Sequence, residues 1–66
     1  MRLTVNGEEK ELDSTVSIAD LVLQLGLGGH RIAVEVNGEI VPRSLHAEHK
    51  LIAGDKVEVV HAIGGG

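Results

Sequence analysis

The sequence predicts an α+β domain, a mixed sheet of four to five strands packed on one main helix. Three observations lead there. Apolar and polar residues alternate at 3–5, 32–36 and 56–59, the two-residue period of a strand with one buried face. Only residues 18–25 carry helical spacing, with Ile18, Leu21, Val22 and Leu25 at i, i+3, i+4 and i+7. Asn6-Gly7 and Asn37-Gly38 each follow a strand-like run, and Asn-Gly accepts the positive φ that a type I′ hairpin turn needs at both central positions. A helix-sized crossover between two hairpins then requires strands running in both directions, with the helix stripe covering one face of the sheet.

Leu3-Thr4-Val5 is the first strand, and residues 9–13 return from the Asn6-Gly7 turn as the second. With four charges and Leu12 as its single apolar residue, that second strand suits a sheet edge, where charge discourages pairing with other chains. Ser17 stands where its side chain can accept from the first-turn N–H groups of the helix, and Asp20 three residues on completes a capping box. Gly26 supplies a left-handed stop. Leu23 lies off the apolar stripe and is expected at the surface. After a loop at residues 27–30, Ile32, Val34 and Val36 share one strand face. Glu39-Ile40-Val41 follows the second Asn-Gly turn. Pro42, the sole proline, ends pairing there. Residues 43–50 have no clean period, although Leu45 and Ala47 fit a short helical turn. Leu51-Ile52 reads as an apolar anchor, Ala53-Gly54-Asp55 as a turn, and residues 56–61 as the last strand. Val-Asn-Gly-Glu occurs at both 5–8 and 36–39; two hairpins needing the same turn chemistry account for the repeat.

Sixty-six residues make one domain near the lower limit for folding without staples. The chain has no Cys, Phe, Tyr or Trp, so disulfides and thiolate metal sites are excluded and the core must be Leu, Ile, Val and Ala. Such a core leaves little room for a buried ligand pocket, which argues against an independent enzyme. A formal net charge of −4 argues against nucleic acid or an anionic membrane and suits a basic partner surface. No apolar run is long enough to cross a bilayer, and the first residues lack the apolar core of a signal peptide, so the expected location is cytoplasmic.

The residues after the last strand carry the distinctive chemistry. Residues 1–61 are read as the folded domain and residues 62–66, Ala62-Ile63-Gly64-Gly65-Gly66, as an extended, flexible tail. Fully extended it would reach roughly 15–18 Å beyond the body. Glycines without Cβ atoms can thread a channel too narrow for other residues. Gly64 and Gly65 are therefore candidates for threading into a partner, and Gly66 presents an α-carboxylate. That group, with a pKa of about 3.3–3.7, is ionised and unreactive at neutral pH until it is activated. Val60 interrupts the polar face of the last strand and Ile63 lies just beyond it. Together they form either a docking patch at the root of the tail or a pair packed under Leu45 and Leu51. His46 and His49, three apart, could share a metal, but no third ligand stands at a known spacing, and solvated side chains are expected. His61 reads as a solvent-facing strand histidine. Gly26, Gly28 and Gly29 follow a helix rather than precede one, which suits a helix stop and not a phosphate loop. No nucleophile, base and carboxylate stand in a catalytic pattern.

With Val36-Asn37-Gly38, Ile40-Val41-Pro42-Arg43, Gly54-Asp55 and the ending Ala62-Ile63-Gly64-Gly65-Gly66 in this order, the whole chain resembles the ThiS family, the small ubiquitin-like sulfur carriers of thiamine thiazole synthesis. The resemblance implies a β-grasp fold whose first and last strands pair in parallel at the middle of the sheet. It implies a protein co-substrate rather than an enzyme. Gly66 would be adenylylated by an adenylyltransferase like the ubiquitin-activating enzymes, then converted to a thiocarboxylate using a sulfur donor protein. Thiazole synthase would take the sulfur. ATP and Mg²⁺ would belong to the activating partner and no cofactor to this chain. Arg43, within the matching Val41-Pro42-Arg43, is a further candidate for partner recognition. Other readings are a carrier of another pathway, such as the small subunit of molybdopterin synthase, or a passive β-grasp interaction module. The third terminal glycine departs from a bare Gly-Gly ending.

Overall fold

Each Asn-Gly pair turns a hairpin. Asn6 and Gly7 take φ of 52° and 83°, and Asn37 and Gly38 take 53° and 87°, the positive values that Asn tolerates and Gly adopts freely. In the computed structural model, which describes residues 1–61, the first turn joins β1 (Arg2–Val5) to β2 (Glu8–Glu11). The second joins β3 (Ile32–Val36) to β4 (Glu39–Val41). Between the hairpins lies α1 (Ile18–Gln24), and after them a 3₁₀ turn at Arg43–Leu45 and then β5 (Lys56–His61). The predicted tail, residues 62–66, lies outside the described residues.

The five strands form one sheet in the order β2-β1-β5-β3-β4. β1 and β5 are parallel, with Thr4 opposite Lys56 and Val5 opposite Val57. All other neighbours are antiparallel. The last strand is therefore central, as the β-grasp resemblance implies, and the charged β2 is an edge, as its composition implies. β2 is offset from the predicted span of 9–13. Leu12 lies beyond it, where its amide donates to the Met1 carbonyl at 2.8 Å and its side chain is buried.

α1 begins with the expected capping box: the Asp20 amide donates to Ser17 Oγ at 3.1 Å, and the Ser17 amide to Asp20 Oδ2 at 3.3 Å. It ends in a Schellman motif. Gly26, at φ 76°, donates to the Leu23 carbonyl, and Leu27 donates to the Val22 carbonyl. Two more first-turn donors are met from afar, Ala19 by the His46 carbonyl and Ile18 by the His49 carbonyl, both at 3.0 Å. The irregular stretch after β4 is thus stitched to the start of the helix, and a bridge between Ser17 and Lys50 continues the seam.

The core lies between the helix and one sheet face. Ile18, Leu21 and Val22 meet Leu3, Val5, Val34, Val36, Val57 and Val59 there, with Leu51 fully buried beneath the irregular stretch. Leu25, expected on the buried stripe, is only half-buried because it caps the helix. Leu23 is exposed, as expected. Of the predicted anchor only Leu51 is buried, and Ile52 is 62% exposed.

His46 requires a correction. It is not solvated but buried, and its Nε2 lies 2.9 Å from the Val41 carbonyl. A carbonyl can only accept, so Nε2 carries the proton and donates. The 3₁₀ turn folds the chain back against β4, and this bond satisfies the ring nitrogen that burial removes from water.

Candidate functional site

The site is built on β5, because this strand leads to the residues with distinctive chemistry. Hydrogen bonds hold it from both sides. Along Ile32–Val36 it pairs with β3 at every residue from Val57 to His61. On the other side β1 runs out at Val5, and the Asn6 turn takes over. The Asn6 amide donates to the Val57 carbonyl at 2.9 Å, and Asn6 Oδ1 accepts from the Val59 amide at 2.8 Å. The second Asn-Gly turn fixes the start of the same strand. Asn37 Oδ1 accepts from the Lys56 amide at 2.9 Å, the Asn37 amide donates to the Lys56 carbonyl at 2.8 Å, and Asn37 Nδ2 donates to Asp55 Oδ1 at 3.0 Å. Buried Asp55 is held in turn by the Ile52 amide, which donates to its Oδ2 at 2.9 Å. The repeated Val-Asn-Gly-Glu is two hairpin turns, as expected. In addition, each asparagine side chain clamps the central strand, Asn37 at its first residue, Lys56, and Asn6 at Val59.

Alternation along β5 sorts its side chains. Val57 and Val59 are buried against the helix, while Lys56, Glu58 and Val60 face away. Val60 is 54% exposed and stands opposite Ala33. On the sheet face away from the helix, it does not pack beneath Leu45 and Leu51. Glu58 stands opposite Glu35, and Ile40, itself 69% exposed, pairs with Glu35 from the other side. The face around Val60 is apolar at its centre with two neighbouring carboxylates. Like charges directly opposite on a ladder repel, which a basic partner surface would relieve.

His61 is exposed, as expected, but has a partner. Its ring meets that of His30 edge to face, with centroids 5.7 Å apart and planes at 66°. Arg43 opens the 3₁₀ turn after β4 and is exposed, bordering a cleft beside α1. It is therefore on the helix side of the sheet, and the structure does not gather Arg43 and Val60 into one patch. Gly64, Gly65, Gly66 and Ile63 lie outside the described residues. Among the described residues no three His, Asp or Glu side chains come together in a way that could hold a metal ion, and no helix is long and apolar enough to cross a membrane. Sequence reasoning missed Asn6 and Asn37 as clamps and His30 as the neighbour of His61. The repeat itself was the available signal for the first two.

Comparison with known proteins adds an independent line. Residues 3–66 match the ThiS family. The thiazole synthase of Paramagnetospirillum magneticum is 42% identical over 66 residues, a match covering 100% of this chain and 20% of that protein. The chain thus spans about a fifth of the length of that relative and of the similarly matched thiazole synthase of Magnetococcus marinus. The sulfur carrier protein ThiS of Bacillus subtilis is 35% identical over 65 residues, covering 97% of this chain and 98% of that protein. The crystal structure of the thiamine biosynthesis protein ThiS from Geobacter metallireducens superposes with a TM-score of 0.87 at 32% identity, covering 100% of both chains.

Proposed function

The chain belongs to the ThiS family, and from that premise we propose that it is a sulfur carrier in thiamine biosynthesis, with the α-carboxylate of Gly66 as the carrying group. The observation that carries the reading is the full-length match to a sulfur carrier protein, joined to a central strand clamped at Lys56 and Val59 whose chain continues into Gly64-Gly65-Gly66. A carboxylate bound for another protein's active site gains from a rigid base, since less freedom is lost on binding. The chain is a co-substrate rather than an enzyme, and it acts in the cytoplasm.

In the proposed cycle a carboxylate oxygen of Gly66 attacks the α-phosphorus of ATP on an adenylyltransferase resembling ubiquitin-activating enzymes, and pyrophosphate leaves. ATP and Mg²⁺ belong to that partner. A sulfide-level sulfur from a donor protein then attacks the acyl carbon, AMP leaves, and a thiocarboxylate remains. This group is a stronger nucleophile than the carboxylate, and it lets a chain without Cys carry sulfur. Thiazole synthase takes the sulfur. Relatives named thiazole synthase, in which a segment like this chain makes up 20% of the length, support that pairing. Gly64 and Gly65 let the backbone thread into both partners. Val60 and Ile63 dock at the root of the tail, with Glu58 and Glu35 meeting basic groups.

The reading is tested by ATP–pyrophosphate exchange on the adenylyltransferase. The full chain should support exchange, and a chain lacking Gly65 and Gly66 should not, with its fold unchanged by circular dichroism. Equal exchange from both would remove Gly66 as the carrying group.

A further inference from the structure

A cleft of about 250 Å³ opens on the helix side of the sheet, at the end where β5 finishes. Val22 and Leu23 of α1 and Ile32 of β3 give it apolar walls. Arg43, His30 and His46 supply its titratable lining, and among the described residues no carboxylate lines it, although the chain as a whole carries −4. The lining is held in place. His46 is fixed by its bond to the Val41 carbonyl, and the His30 ring meets that of His61 edge to face. The loop after α1 closes on Leu23 so tightly that a Cβ on Gly28 would lie 2.5 Å from Leu23 Cδ2. Leu23 is nonetheless 67% exposed, a large apolar side chain left uncovered in a cleft that Arg43 also lines.

We propose that this cleft receives, from a protein that takes up the tail, an apolar side chain flanked by a carboxylate. The inference rests on the carrier reading for the partner's arrival at this end of the sheet, since His30 of the cleft packs on the last described residue before the tail. The chemistry of the occupant follows from the lining. Leu23, Val22 and Ile32 gain by covering apolar surface, and Arg43 offers a planar fork that matches a carboxylate. A simple anion would leave Leu23 in water, and a purely apolar segment would desolvate Arg43 without pairing it.

The test is an amide-shift titration of the isotopically labelled full chain with the blocked tetrapeptide Leu-Glu-Leu-Glu, and with Leu-Gln-Leu-Gln as its uncharged match. The acidic peptide should move the amides of Leu23, Gly28, His30 and Arg43. Arg43→Glu, at an exposed position, should weaken binding about five- to tenfold, and the uncharged peptide should lose a similar factor. Shifts located elsewhere, or equal responses to both peptides, would overturn the proposal. So would movement of the same amides, without peptide, when residues 62–66 are removed, because the chain's own tail would then be the occupant. The titration involves no ATP and no sulfur. Its failure leaves the carrier reading standing, and failure of pyrophosphate exchange leaves the titration interpretable.

Discussion

Asn6 Oδ1 accepts a hydrogen bond from the Val59 amide at 2.8 Å, across 53 residues of chain. β1 stops at Val5, and this side chain adds one more rung to the parallel ladder on the strand that leads to the tail.

Two substitutions separate the parts of that contact. Asn6→Gly keeps the positive φ and removes only the side chain. It should cost about 1–3 kcal/mol, since the Val59 amide loses its acceptor. Asn6→Ala removes the acceptor and also leaves at positive φ a residue without the polar side chain that lets Asn occupy the left-handed region, adding roughly 1 kcal/mol. Urea unfolding should rank them wild type, Gly, Ala in falling stability. An Asn6→Gly protein as stable as wild type would show that the bond contributes nothing.

Val60 is the second point of leverage. It is exposed on the face away from the helix, so Val60→Lys should change stability by less than about 0.5 kcal/mol. Binding to the adenylyltransferase should weaken at least about tenfold, both from lost apolar contact and from like charge against a basic surface. Calorimetry on a variant shown to be folded by circular dichroism checks this. Unchanged affinity would move the docking surface elsewhere.

At the helix start, Ser17→Ala removes the acceptor for the Asp20 amide in a residue 3% exposed. A loss of about 1–2 kcal/mol is expected in thermal melts. The seam through His46 and His49 remains in this variant, so the fold should survive.

Stability should also depend on Glu11 at low pH. Its carboxyl is held below the ordinary carboxylate range, first by its hydrogen bond to the N-terminal ammonium and then by Arg2. A depressed folded-state pKa means that the contribution is present above the unfolded pKa and is lost as pH falls through the folded one. Between neutral pH and pH about 3, wild type should therefore lose slightly more melting temperature than Glu11→Gln. The group is exposed, so the difference should be small and should shrink with added salt. Parallel curves for the two proteins would contradict the assignment.

What could be read in advance divides along the chain's own range of interaction. Ser17 with Asp20, and Asn-Gly with its turn, are local chemistry, and both were legible because donor and acceptor lie within a few residues. The parallel pairing of β1 with β5 joins the two ends of the chain. Strand patterns only permitted it, and resemblance supplied it. His46 looked solvated because nothing nearby in sequence shows that the 3₁₀ turn brings its ring beneath the Val41 carbonyl. The clamps at Asn6 and Asn37 were hidden for the same reason, with partners 53 and 19 residues away. Alternation alone does not say whether Val60 packs beneath Leu45 and Leu51; the register with Ala33 places it on the face away from the helix.

Intact mass reports directly on whether Gly66 carries sulfur. The chain would be incubated with the adenylyltransferase, ATP and a sulfur donor, then weighed whole and in fragments. One oxygen should be replaced by sulfur, with the change confined to the fragment ending in Gly66. An unchanged mass beside a partner that sulfurates another carrier in the same vessel would contradict it.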